Sequence, residues 1–241
     1  MAHKKRAFMF GYSKSSSFVA KQLSYEKLHL TLVLSSDEAY EKARADGYID
    51  IKKIDITNDE ALKELEVREE DYLVCVLEDK HYNVFLTLSL HSLFPKTVIV
   101  ALSDSVHTTQ KLKMAGAKRI IDLYQVSANR LHNIIHKPVT TKLVDRLLSP
   151  TEEFSFKEIS IPEGSPIDGI MVDDFNFEEY KIIMVGMIDK RLTNKFLFVT
   201  SGVENRFDNG DIIVCIGYNE DLKRFEEFVY SNEIVNCDMV D

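Results

Sequence analysis

Ala7-Phe8-Met9-Phe10-Gly11-Tyr12-Ser13-Lys14-Ser15-Ser16-Ser17-Phe18-Val19-Ala20 runs from an unbroken apolar segment through a glycine turn into a serine-rich helix start. A buried strand, a tight turn and a helix in that order are where a dinucleotide-binding fold carries its glycine fingerprint. The first glycine of that fingerprint makes the turn. The second lets backbone approach a diphosphate, and the third lets the helix pack closely on the strand. Only the first is present, as Gly11, while Ser13 and Ser16 stand where the second and third would fall. The Cβ of Ser13 takes space that a diphosphate uses, whereas Ser16 is small enough for its position. Ser15, Ser16 and Ser17 are each suited to cap the helix and to occupy amides that would otherwise meet phosphate.

Outward from this loop, short apolar runs alternate with amphipathic stretches. The runs are Ala7–Phe10, Leu30–Leu34, Ile49–Lys53, Tyr72–Leu77, Val98–Leu102 and Arg119–Ile121. Nearly continuous apolar strands separated by helical patterns predict a parallel sheet covered on both faces. Residues 5–122 therefore read as a Rossmann-like, doubly wound α/β domain. Residues 123–149 read as a helical connector with an apolar stripe through Val126, Leu131, Ile134, Ile135, Leu143, Leu147 and Leu148. Pro138 divides it into two helices. Such a stripe calls for a partner, either another part of the chain or a second subunit. From Pro150 onward the texture changes to alternation in Phe156–Ile161, turn chemistry in Pro162–Pro166, and strand runs at Ile182–Ile188, Phe196–Thr200 and Ile212–Ile216. A closing helix over Asp221–Phe228 completes a small α+β C-terminal domain spanning 152–231.

The chain has 241 residues, 45% of them hydrophobic, which is ample for one large or two modest cores. A net charge of -9 argues against a nucleic-acid partner and against docking on an anionic membrane surface. No apolar run reaches the roughly 18–20 residues of a membrane helix, and no signal peptide is expected ahead of the first strand. Cys75, Cys215 and Cys237 are far apart and form no CxxC pair, so a reducing, cytoplasmic setting is expected.

Several further segments resemble one family. Ile54-Asp55-Ile56-Thr57-Asn58-Asp59-Glu60-Ala61-Leu62 is similar to the motif that follows its third strand, and Glu78-Asp79 with Asn83 resembles the opening of its helix after the fourth. Leu112-Lys113-Met114-Ala115-Gly116-Ala117-Lys118-Arg119-Ile120-Ile121 resembles a later motif. Ile161–Gly169 and Asn209–Val214 resemble pieces of its C-terminal module. Together they resemble the RCK (regulator of potassium conductance) family, with its TrkA-N and TrkA-C domains, over roughly residues 5–230.

The resemblance implies a cytosolic gating module for a potassium channel or a Trk/Ktr-type uptake system, peripheral to the inner membrane through its pore or transport subunit. It implies homodimers formed through the connector, with Leu131, Ile134, Ile135, Leu143 and Leu147 at the contact, that assemble into a higher-order ring. Direct membrane insertion of the chain is not implied. The chain would be either a separate subunit or the cytosolic part of a longer channel.

The nucleotide loop is altered beyond its serines. The ribose-binding carboxylate expected about 20 residues on is replaced by Leu34 or Ser35, and Asp37 comes late. The family's arginine after the fifth strand is missing from Val100–Asp104. Two readings stand side by side. In one the nucleotide site has lapsed. In the other Gly11, Tyr12, Ser13, Lys14, Ser15, Ser16 and Ser35, with Asp55, Asp79 and Asn83, line a modified site for an adenine nucleotide, NAD(H) or another anion. The competing function classes are a nicotinamide-dependent oxidoreductase and a ligand-free structural assembly subunit.

No catalytic set and no metal site are expected. GxSxG and Walker patterns are absent, and His81 reads as an exposed helix-start residue. His132 and His136 share a helix face without a third ligand. Asp173-Asp174 and Glu178-Glu179 lack calcium-ligand spacing and read as solvated surface.

Overall fold

The computed structural model describes residues 6–25, 28–149, 152–190, 195–199 and 205–231. Thr200, predicted to end a strand, and Cys237 lie outside them. The chain divides into two units, Met1–His136 and Lys137–Asp241.

The first unit alternates β1 (Arg6–Phe10), α1 (Ser16–Tyr25), β2 (His29–Leu34), α2 (Asp37–Ala45), β3 (Ile51–Lys53) and α3 (Asp59–Lys63). It continues through β4 (Tyr72–Cys75), α4 (Lys80–Leu93), β5 (Val98–Ser103), α5 (Val106–Met114), β6 (Arg119–Asp122) and α6 (Leu123–His136). The strands form one parallel sheet in the order β3-β2-β1-β4-β5-β6. This is the doubly wound order, which reverses direction between β1 and β4.

Period-two alternation sends side chains of each strand to opposite faces. Phe8, Phe10, Val33, Leu73, Cys75, Ile99 and Ala101 pack with Leu62, Leu86, Leu90 and Leu112 of α3, α4 and α5. Met9, Leu32, Leu34, Val74 and Val76 pack with Ala20 and Ala43 of α1 and α2. On that second face α1 and α2 leave the strip toward β6 uncovered. An apolar groove of about 290 Å³ remains there, lined by Val19, Leu23, Val74, Val100, Leu102 and Ile121 among others.

Helix starts follow the polar caps in the sequence. Ser36, Asn58, Asp79 and Ser105 each accept a backbone N–H of the helix they precede, which satisfies donors that a helix start otherwise leaves bare.

The second unit begins with α7 (Pro138–Leu148), whose proline occupies the first turn, where its missing N–H costs nothing. It continues with β7 (Phe154–Ser160), β8 (Ile183–Ile188), β9 (Phe196–Phe198), β10 (Ile212–Tyr218) and α8 (Asn219–Val229). The antiparallel sheet runs β7-β10-β8-β9. Helix α8 lays Leu222, Phe225 and Val229 against Ile159, Met184, Ile213 and Cys215. This is the small α+β domain that the alternation and the turn chemistry at Pro162–Pro166 predict. Among the described residues no helix is long and apolar enough to cross a membrane.

Candidate functional site

The carboxyl ends of β1 and β4 meet where the strand order reverses, the place at which open α/β sheets bind ligands. Gly11 closes β1 with φ +102°, a backbone conformation that glycine adopts freely. A Cβ there would lie 3.0 Å from Leu77 Cδ2 and 3.3 Å from Leu77 Cα. The glycine is therefore required by the neighbouring strand end itself.

Tyr12 turns inward, is 7% exposed, and donates its hydroxyl to Asp46 at 2.7 Å. Its ring meets Tyr48 edge-on at 5.5 Å. Burial first, and then the bond to Asp46, push its phenol well above the ordinary range.

The serines close the loop on itself. Ser16 Oγ accepts the Ser13 amide at 2.8 Å, and Ser13 Oγ accepts the Ser16 amide at 3.3 Å. Ser17 N–H donates to the Ser13 carbonyl at 3.0 Å, which makes Ser13 the effective cap of α1. This is a capping box built from two serines. Ser15 Oγ lies 3.0 Å from Ser13 Oγ, and Lys14 and Ser15 are exposed.

The remaining predicted residues gather around the same cleft. Three neighbouring cavities open there. One of about 150 Å³ is lined by Gly11, Tyr12, Ser13 and Ser35. A second of about 310 Å³ lies between the start of α1 and the end of β5, with Ser15, Ser16 and Asn83. A third, also about 310 Å³, holds Ser35, Asp55 and Asp79. Glu78, which the sequence reading did not single out for the site, lines all three. Its signal in the sequence is its place in the Glu78-Asp79 pair, which resembles the family's helix opening after the fourth strand.

Local hydrogen bonds engage the polar groups that sequence reasoning assigned to a ligand. Asp55 accepts both the hydroxyl and the amide of Thr57, which lower its carboxyl below the usual range, the hydroxyl most. Asp79 caps α4 by accepting the amides of His81 and Tyr82, and the Tyr82 N–H chiefly lowers its carboxyl. Asn83 is buried and clamps two strand ends. Its Oδ1 accepts Leu77 N–H at 3.2 Å, and its Nδ2 donates to the carbonyls of Cys75 and Leu102 at 3.4 and 3.2 Å.

In the connector, α6 buries no residue, and Leu131, Ile134 and Ile135 stand exposed. Leu143 on α7 is exposed as well, whereas Leu147 is buried within the second unit, where α7 packs along β7. The rings of His132 and His136 are 4.4 Å apart. No group of three or more metal-ligating side chains forms among the described residues.

A protein-family model, the TrkA-N domain, matches residues 8–123. Potassium channel protein 1 of Methanocaldococcus jannaschii is 25% identical over 223 residues, a match covering 91% of this chain and 65% of that protein. Probable potassium channel protein 2 of the same organism is 24% identical over 228 residues, with the same coverage. The chain thus spans 65% of the length of these curated relatives. The human SLO3 gating ring shares the fold, with a TM-score of 0.62 at 13% identity over 92% of this chain and 46% of that one.

Proposed function

The chain belongs, through residues 8–123, to the TrkA-N domain family, and from that premise we propose that it is a cytoplasmic regulatory portion of a potassium channel or transport system and performs no chemistry itself. Two curated relatives are named as potassium channel proteins, which supports the choice of pore. The observation that carries the reading is unpaired apolar surface within the first unit. Helix α6 exposes Val126, Leu131, Ile134 and Ile135, while the strip of sheet toward β6 lies bare between Val19 and Ile121.

A second copy supplies what each lacks: its α6 seats in this groove, and this α6 seats in its groove. Such an exchange is isologous and closes on two copies. A larger ring needs another contact, and α4 offers one in exposed Tyr82, Phe85 and Leu88, spaced three apart on one face. The cleft beside Gly11 is the sensing face, with an adenine nucleotide or NAD(H) as the ligand class. The mutual capping of Ser13 and Ser16 favours a second reading, in which the cleft holds nothing and the chain serves only assembly.

Sedimentation velocity over a range of concentrations tests the pairing. The natural chain is expected to sediment as a dimer or larger, and the I134E/I135E variant as a folded monomer. A natural chain that stays monomeric at every concentration overturns the reading.

A further inference from the structure

His132 and His136 stand four residues apart on α6, so their side chains leave one face of the helix a single turn apart. Both are exposed, and their rings lie 4.4 Å apart between centroids, tilted by 37°. Among the described residues neither imidazole makes a hydrogen bond or an ion pair. At about 3.6 residues per turn the pair falls roughly opposite the stripe of Val126, Leu131, Ile134 and Ile135, on the side that carries Gln125 and Asn129. A partner seated on the stripe therefore leaves the two rings in water.

Two imidazoles this close suit one metal ion. With nitrogen about 2.0–2.1 Å from the metal and each ring centre about 1.15 Å behind its nitrogen, the centres lie about 4.5 Å apart for ligands at a right angle and about 5.2 Å apart for a tetrahedral pair. The observed 4.4 Å meets the right angle. Tetrahedral zinc wants the wider spacing and further protein ligands, whereas tetragonal ions of the nickel and copper(II) kind accept cis imidazoles. His136 is also the last residue of α6, where the helix dipole leaves partial negative charge and favours a cation.

We propose that His132 and His136 chelate a first-row divalent cation of the nickel or copper(II) kind, and that the ion staples the last turn of α6. Two protein ligands make an open site, with water in the remaining positions, so a third ligand from the chain is not required. The helix has reason to respond. It has 14 residues and buries none of them, and helices shorter than about 12–15 residues are marginal in water without packing to support them. The link between residues four apart spans the same turn as a backbone hydrogen bond. The ion therefore binds the helical form in preference to the unravelled one and shifts α6 toward it. Where α6 is the contact face, the ion firms the element that a second copy receives.

Titration calorimetry with nickel chloride near neutral pH tests the site, in an H3A parent that lacks a chelate the amino terminus can itself form. One ion per chain is expected, and it should broaden the imidazole NMR signals of His132 and His136 ahead of those of His29, His81 and His107. H132Q and H136Q should each weaken binding at least about ten-fold, because the second ligand acts intramolecularly. A128H/H136Q rebuilds the four-residue spacing one turn earlier and should restore affinity. N133H/H136Q keeps the number of histidines without the spacing and should not. Nickel should slow amide exchange at Ile135 and His136 several-fold in the parent and leave it unchanged in H132Q. The proposal is overturned if either single variant binds nickel as tightly as the parent, or if nickel leaves these amides unchanged in the parent. Each readout comes from a single chain, so failure here and failure of the proposed function are told apart.

Discussion

The hydroxyl of Ser16 accepts the Ser13 amide at 2.8 Å, and the hydroxyl of Ser13 accepts the Ser16 amide at 3.3 Å in return. The pair takes up loop and helix-start amides of the kind that meet phosphate in a working fingerprint. Serine thus removes the ligand's donors and supplies the helix with its own cap. Replacing both residues by glycine frees the amides. Isothermal titration with ADP is expected to show S13G/S16G binding at least about ten-fold more tightly than the natural chain, the scale of one or two charge-assisted bonds. Equal affinity would mean that something other than these amides limits binding.

Tyr12 gives a prediction in pH. Its folded phenol is held above its ordinary value of 10.0, by burial first and then by Asp46. An acid whose folded value is raised favours folding in its neutral form. The contribution is complete below the unfolded value and is lost as pH rises beyond roughly 10 toward the folded value. Thermal melts between pH 8 and pH 11 (the upper limit set at about one unit past the free phenol) should fall more steeply for the natural chain than for Y12F. Parallel curves would remove Tyr12 as the source of the alkaline slope.

Asn83 separates a clamp from a ligand contact. N83A leaves the Leu77 amide and the Leu102 carbonyl short of partners within the sheet. Urea unfolding is expected to lose about 1–3 kcal/mol, the cost of leaving half-buried polar groups unpaired. N83D should fare little better, since a carboxylate cannot donate to Leu102. A loss of under about 0.5 kcal/mol, the scale of an ordinary surface change, would return Asn83 to the role of a ligand contact.

The sheet was readable because its cause is local. Apolar runs such as Val98–Leu102 and the turn at Gly11 carry their own signals, and Pro138 marks the division between α6 and α7 by its missing N–H. Only the margins moved. Ile49, expected to open the third strand, is 88% exposed, and β3 begins at Ile51.

The candidate cleft was legible in its place on the fold, but less so in what its side chains do. Gly11, Ser13, Ser35, Asp55, Asp79 and Asn83 do face one cleft region, because parallel pairing brings the carboxyl ends of β1, β2 and β4 together. What each side chain does there depends on partners fixed by register. Asn83 reaches Leu102, 19 residues away. Thr109 bridges Ser103 and Asp122 only because β5 and β6 pair as they do. No spacing rule along the chain contains such contacts. The cap of α1 illustrates the same limit. The three serines from Ser15 to Ser17 looked equally fit for it, whereas backbone geometry after Gly11 gives it to Ser13.

Gly11 also bears on how such chains should be compared. Its missing side chain is demanded by the backbone of Leu77 and by its own φ, and neither demand involves a phosphate. A lineage can abandon its ligand for any length of time without becoming free to change this residue. The turn glycine is thus a witness to the architecture alone. Descent with or without a cofactor has to be judged from the two positions now held by Ser13 and Ser16.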